Sequence, residues 1–158
     1  MVWGDRKIMK IKLIKFRNDL ILPVRAHYND AGIDCFAQED LHLPKIGSQM
    51  LNDSLIIGNL HIQKIPLGFG LIVPDGYQAV IKPRSSMNAK GIITQIGTID
   101  SGYRGEISAI LINVSTVDFS FKRGDKICQI VVEPVVLAEP VLELGEERGS
   151  GGFGSTGR

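Results

Sequence analysis

The segment Arg148–Arg158, RGSGGFGSTGR, sets a cation, an aromatic ring and hydroxyls on a backbone with five glycines in eleven residues. Arg148, Ser155 and Thr156 suit phosphate oxygens, and the Phe153 ring suits the face of a base. The glycines permit close backbone approach and leave N–H donors free. Such a segment cannot bury enough apolar surface to fold alone. It therefore reads either as a lid ordered by a phosphorylated nucleotide or as an unstructured tail.

Four internal segments carry comparable groups. Lys82-Pro83-Arg84-Ser85-Ser86 follows a strand pattern and opens a short helical one. There a guanidinium fork and two hydroxyls adjoin the unpaired N–H groups of a helix start, a combination suited to phosphate. The alternative is a simple cap preceded by a solvated arginine. Gly97–Glu106, GTIDSGYRGE, reads as a hairpin tip between apolar strands. Its Asp100 is either a turn residue or a carboxylate placed to orient and deprotonate a water. Tyr103 is either core or a platform under a sugar. Asp34 lies in a strand-like run among Ile33, Cys35 and Phe36, where a carboxylate is costly unless paired, hydrogen-bonded or near a metal. Gln129 is polar among Ile127, Ile130 and Val131, so its amide faces either solvent or a site.

The elements that must position these groups are short. Ile-, Val- and Leu-rich runs recur at Met9–Phe16, Leu60–Ile65, Phe69–Val73, Tyr77–Lys82, Glu106–Val114, Val117–Phe121 and Ile127–Val132, with little helical periodicity. Pro74-Asp75-Gly76 and Arg123-Gly124-Asp125 punctuate them as turns. This spacing predicts an all-β domain, a jelly-roll or distorted β-barrel. One short helix is expected over Ser85–Lys90, capped by Ser85 or Ser86. Lys45–Gly58 reads as a loop or hairpin excursion. One domain over 1–144 and a Gly-rich arm over 145–158 account for the 158 residues.

A net charge of +1 predicts no general nucleic-acid field, so phosphate binding must rest on local groups. The N-terminal residues alternate Lys with apolar side chains, which predicts neither a signal peptide nor a membrane span. Cys35 and Cys128 form no metal or disulfide framework, and His27, His42 and His61 lack ligand spacing, so zinc is not expected. The simplest setting for two unpaired thiols is a reduced cytoplasm.

Taken in order, five segments make the chain resemble the homotrimeric dUTPase family. They are AGID at Ala31–Asp34, PRSS with Gly91 at Pro83–Gly91, GTIDSGYRGE at Gly97–Glu106, RGDKICQ at Arg123–Gln129 and RGSGGFGSTG at Arg148–Gly157. The resemblance implies a jelly-roll trimer with three active sites at subunit interfaces, each covered by a neighbour's arm. It implies hydrolysis of dUTP to dUMP and pyrophosphate, assisted by Mg²⁺. On that resemblance Asp100 holds the attacking water and reaches the sugar 3′-hydroxyl, and Tyr103 packs against deoxyribose. The backbone from Thr94 to Ile99, Gly97 included, reads the uracil edge. Arg84, Ser85 and Ser86 hold phosphates, with Ser85 nearest the α-phosphate, and Gln129 contacts a phosphate or the water. Asp34 lies near metal-bound waters. Phe153 stacks over uracil while Arg148, Ser155 and Thr156 grip the outer phosphates. Mg²⁺ held mainly by triphosphate oxygens and water agrees with a chain that lacks a ligand cluster.

Departures from the family pattern are Gly102 before the tyrosine, Thr94 where some members have Asn, Cys35 after Asp34, and the long excursion at Lys45–Gly58. Gly102 and Thr94 are the two expected to affect hairpin shape and base affinity. Two rival functions remain. A dCTP deaminase shares the fold but needs a Glu on the strand after the hairpin, where this chain reads Ile107–Ile112. A regulatory module that uses nucleotide as a switch would also suit an arm ordered on binding. A purely structural jelly roll leaves Arg84, Asp100 and the arm unexplained.

Overall fold

The computed structural model describes residues 9–51, 54–57 and 61–142. The arm over 145–158, with Arg148, Phe153, Ser155 and Thr156, lies outside the described residues. The described elements are β1 (Lys12–Lys15), β2 (Ile33–Phe36), β3 (Leu41–Leu43), β4 (Ser48–Leu51), β5 (Ser54–Ile57), β6 (Ile62–Pro66) and β7 (Phe69–Ile72). They continue with β8 (Tyr77–Lys82), α1 (Ser85–Asn88), β9 (Ile92–Thr94), β10 (Gly97–Ile99), β11 (Ser108–Asn113), β12 (Phe119–Phe121) and β13 (Lys126–Pro134). The protein is an all-β jelly roll, as the strand spacing predicts, with one single-turn helix among the described residues. Among the described residues no helix is long and apolar enough to cross a membrane.

The strands form small antiparallel sheets, and the one that matters for the site runs β10-β8-β13-β2. β8 and β13 are its spine, with Gln129 opposite Lys82 and Val132 opposite Ala79. Turn chemistry sets the entry to β8: Gly76 takes φ 79°, and Tyr77 N–H closes on the Pro74 carbonyl at 3.2 Å. Pro83, which has no N–H to give, ends the strand at Lys82. Inward positions of the sheets meet in one core built on Phe69, Leu43, Leu67, Ile92, Leu111, Ile127 and Ile130. Burial of such side chains contributes about 1.5–3 kcal/mol each.

Two local readings change and a third is narrowed to one of its alternatives. The helix begins one residue earlier than a serine cap requires. Arg84 is its N-cap, extended at φ −93° and ψ 136°, and no side chain caps it. Ser85 and Ser86 occupy the first helical positions, exposed. Second, Gly97–Glu106 is not the tip of a paired hairpin. β10 pairs with β8, whereas β11 pairs with β6 and β9, so the chain changes sheets across Asp100–Ile107. Third, the excursion after Lys45 contains the antiparallel β4–β5 hairpin, one of its two anticipated forms.

β11 shows why Asn113 escaped notice as a structural residue. The strand alternates, with Ala109, Leu111 and Asn113 inward. The wholly buried Asn113 amide donates to the carbonyls of Leu43 (3.2 Å) and Val117 (2.8 Å), and its oxygen accepts from Ser115 N–H at 2.9 Å. These bonds offset the desolvation of the amide.

Candidate active site

One group of chemistry-bearing side chains gathers where β8 runs into α1 and lies beside β13 and β2. The Asp34 side chain is only 14% exposed and sits between two cations. Arg84 Nε donates to its Oδ1 at 3.1 Å, and Lys126 Nζ donates to its Oδ2 at 2.7 Å. Arg84 is held a second time, through Nη1 to the Lys126 carbonyl at 3.2 Å. The pairing that Asp34 needs is therefore supplied by residues far away in sequence. Two of the guanidinium's edges are spent within the chain, and the remaining Nη2 has no partner among the described hydrogen bonds.

Gln129 faces the same way as Asp34, its register partner on β2. Its amide is half-buried, and Nε2 donates to the Pro83 carbonyl at 2.8 Å, tying β13 to the strand–helix junction. Room for that side chain comes from Gly32: a Cβ there would stand 1.9 Å from Gln129 Oε1. Thus Gly32 and Asp34 of one motif and Arg84 and Gln129 of two others make one structural unit. Lys126, not singled out in the sequence, belongs to it. Its signal was an additional cation three residues before Gln129.

A second group lies at the turn after β10. A cleft of about 230 Å³ is lined by Ile81, Gly97, Ile99, Asp100, Tyr103 and Ile107, among others. Asp100 is exposed, and its carboxylate makes no hydrogen bond among the described residues. Its carbonyl accepts from Tyr103 N–H at 3.1 Å, which fixes the turn. The Tyr103 hydroxyl donates to the Glu106 carbonyl at 3.0 Å, and the residue stays 45% exposed beside the cleft. Gly105 is required there because a Cβ would meet Tyr103 Oη at 2.4 Å. Gly102 is not: nothing lies within 4 Å of a Cβ placed on it. The Thr94 side chain is 2% exposed and points inward, its hydroxyl 3.5 Å from the Ile127 carbonyl, so this departure is absorbed by the core. Glu106 Oε1 accepts from Gly68 N–H at 2.9 Å, a structural use of that carboxylate.

The two groups do not meet within one chain. Ile99 is opposite Ala79, and Arg84 is five residues further along β8 and its exit, roughly 17 Å at strand spacing. Asp100 lies beyond Ile99 on the side away from Arg84. Other motif residues are structural. Arg123 binds the Gln38 carbonyl at 3.0 Å and the Asp19 carboxylate at 3.2 Å, and Asp125 Oδ2 accepts from Lys122 N–H at 2.7 Å. The His27 backbone N–H, followed by its ring, holds the Asp30 carboxyl below its ordinary value. Contact with Cys128, then burial, pushes the Cys35 thiol well up. Among the described residues no three His, Cys, Asp or Glu side chains cluster to hold a metal. A lone carboxylate with hard oxygens fits Mg²⁺ only where the ion's other ligands come from elsewhere, chiefly phosphate and water.

Comparison with known proteins places this geometry in context. The dUTPase family model matches residues 18–157. A deoxyuridine 5′-triphosphate nucleotidohydrolase of Gloeothece citriformis is 41% identical over 155 residues, covering 94% of this chain and 97% of its own. One from Clostridium tetani is 42% identical over 156 residues, covering 95% and 97%. Among solved structures, a variant of the Staphylococcus bacteriophage 80alpha dUTPase with dUpNHpp matches with a TM-score of 0.75 at 21% identity, covering 94% of this chain and 99% of its own. A variant dUTPase from phage phi11 of S. aureus, described as revealing the coordination of a structural Mg(II) ion, matches at 0.67 over 89% and 99%, again with 21% identity. At that identity the two structures speak for the fold.

Proposed function

The chain belongs to the dUTPase family, and we propose that it hydrolyses dUTP to dUMP and pyrophosphate in a homotrimer whose sites are shared between subunits. The observation that carries the proposal is the separation of two complementary half-sites. Asp34, Arg84, Lys126 and Gln129 form a preassembled cationic pocket, while Asp100 and Tyr103 border a cleft at the far end of the same sheet. One triphosphate needs both, so the phosphate-binding half of one subunit must meet the Asp100 half of another. Closed symmetry supplies that meeting three times over.

Each residue then has a task at a stated atom. The Asp100 carboxylate, exposed and without a hydrogen bond among the described residues, accepts the proton of a water aimed at the α-phosphate. Tyr103, its hydroxyl tied to Glu106, presents its ring to deoxyribose and excludes a 2′-hydroxyl. The backbone from Thr94 through Gly97 to Ile99 offers donors and acceptors to the uracil edge. Arg84 turns its free edge to phosphate oxygens, and Ser85 and Ser86, uncapped and exposed, add hydroxyl and N–H donors, Ser85 nearest the α-phosphate. Gln129 orients a phosphate or the water. When bound, Mg²⁺ supplies charge neutralisation on the triphosphate, with Asp34 the carboxylate that receives one of its waters. The arm over 145–158 covers the site, Phe153 on uracil and Arg148, Ser155 and Thr156 on the outer phosphates. A reduced cytoplasm suits the two buried free thiols.

The alternative deaminase chemistry gains no support, because β11, from Ser108 to Asn113, carries no carboxylate. The test is turnover of dUTP, UTP, dTTP and dCTP with products identified and mass measured by light scattering. We expect dUTP to be preferred, by up to about 10⁴-fold where a polar group is mismatched. UTP turned over as well as dUTP, or an active monomer, overturns the proposal.

A further inference from the structure

We infer that Lys126 is a positioning residue that competes with metal-borne water for Asp34, and so sets how strongly nucleotide binding depends on Mg²⁺. This rests on the dUTPase reading above. Lys126 reaches Asp34 because β13 bulges. Gln129 and Cys128 pair with Asp34 and Cys35 in turn, but Phe36 pairs with Lys126 because the register shifts between Lys126 and Cys128. In an unbroken ladder Ile127 would be opposite Phe36 and on the face that carries Asp34. The extra residue instead lets Ile127 and Cys128 both turn into the core, each 0% exposed, and leaves Lys126 on the Asp34 face.

The consequence is a carboxylate fully engaged before any ligand arrives. Lys126 takes Oδ2 at 2.7 Å, the shorter of the two contacts, and Arg84 takes Oδ1 at 3.1 Å. The Lys126 carbonyl also holds Arg84 Nη1, so one residue fixes the cation by its backbone and the anion by its side chain. With Asp34 only 14% exposed, a water carried by Mg²⁺ competes with the ammonium for access to Oδ2. The Lys126 side chain is 36% exposed, so it has solvent to move into. Metal and Lys126 are thus rivals for one oxygen, and rivalry at a shared site appears as a coupling free energy.

The test is calorimetric binding of α,β-imido-dUTP, which is not hydrolysed, with Mg²⁺ and again with a chelator. The readout is the ratio of the two Kd values. Lys126→Met removes the rival and keeps the stem, and the ratio rises by about fivefold or more. Lys126→Arg restores the charge and returns the ratio to within about twofold of the parent. With Asp34→Asn as background, Lys126→Met no longer moves the ratio, since the contested oxygen is gone. Should Lys126→Met unfold, Lys126→Gln replaces it. Equal weakening with and without metal, the ratio unchanged, overturns the inference and leaves the dUTPase reading standing. Failure of the parent to bind the analogue overturns both.

Discussion

The two ends of the β10-β8-β13-β2 sheet are organised on opposite plans. At the Asp34 end the polar side chains hold one another: Arg84, Lys126 and Gln129 each have a partner inside the chain, and Gly32 is shaped around one of them. At the Asp100 end the backbone holds the turn, through Tyr103 N–H and the Tyr103 hydroxyl, and the carboxylate itself is left exposed. The first arrangement suits groups that must receive a large fixed charge with Arg84 and Gln129 already held in place. The second suits a group that must take up a proton and therefore cannot be committed elsewhere. The contrast implies that removing a side chain at the first end disturbs both stability and binding, whereas removing Asp100 disturbs the reaction alone.

The sharpest attempt to break that contrast is Asp100→Asn. The amide keeps the shape and loses the proton acceptor, so kcat should fall by about 10²–10⁴. Analogue affinity and the urea midpoint should hardly move. Steady-state kinetics beside a denaturation curve decides it, and normal turnover would reduce Asp100 to a turn residue. Asp34→Ala should do the reverse. It leaves Arg84 and Lys126 facing each other without their shared anion, and stability should drop by about 2 kcal/mol in urea denaturation, less than for a wholly buried pair because solvent still reaches the cluster. A change below about 0.5 kcal/mol, the scale of an ordinary surface substitution, would show that the ion pairs are incidental.

Gly32→Ala is subtler. The new methyl evicts Gln129 from its bond to the Pro83 carbonyl, which should cost about 1 kcal/mol and lower kcat/KM. Combining it with Gln129→Ala removes the clash, so the double variant should be less destabilised than the sum of the singles; strict additivity would refute the packing argument. The smallest effect near neutrality belongs to Cys35, a core residue next to Asp34 in the chain. Its thiol is held neutral in the fold, while in the unfolded chain it ionises around its ordinary value of 9.0. Its contribution is therefore complete below about pH 9 and is lost as pH rises further. Melting temperatures from pH 8 upward should fall more steeply for the parent than for Cys35→Ala; parallel slopes would count against it.

What the sequence determined by itself was local. Turn chemistry at Pro74-Asp75-Gly76 and Arg123-Gly124-Asp125 is realised with Gly76 at φ 79° and Gly124 at φ 95°. The strand pattern over Tyr77–Lys82 needs no change, and the five motifs identify the family, because residue order alone carries them. Strand edges shift elsewhere: the anticipated Ile127–Val132 grows to Lys126–Pro134, and Val117–Phe121 shrinks to Phe119–Phe121. Only the tertiary structure decided which charges meet. Asp34 demanded a partner from its apolar neighbours, but nothing local says that Arg84 and Lys126 supply it, or that a bulge turns Lys126 toward it. Likewise the cap fell to Arg84 rather than a serine, and Gly97–Glu106 became a passage between sheets. Short-range sterics and hydrophobic alternation act within a few residues and can be read along the chain. Ion pairing, register and the meeting of distant strands depend on a three-dimensional arrangement that no single segment encodes.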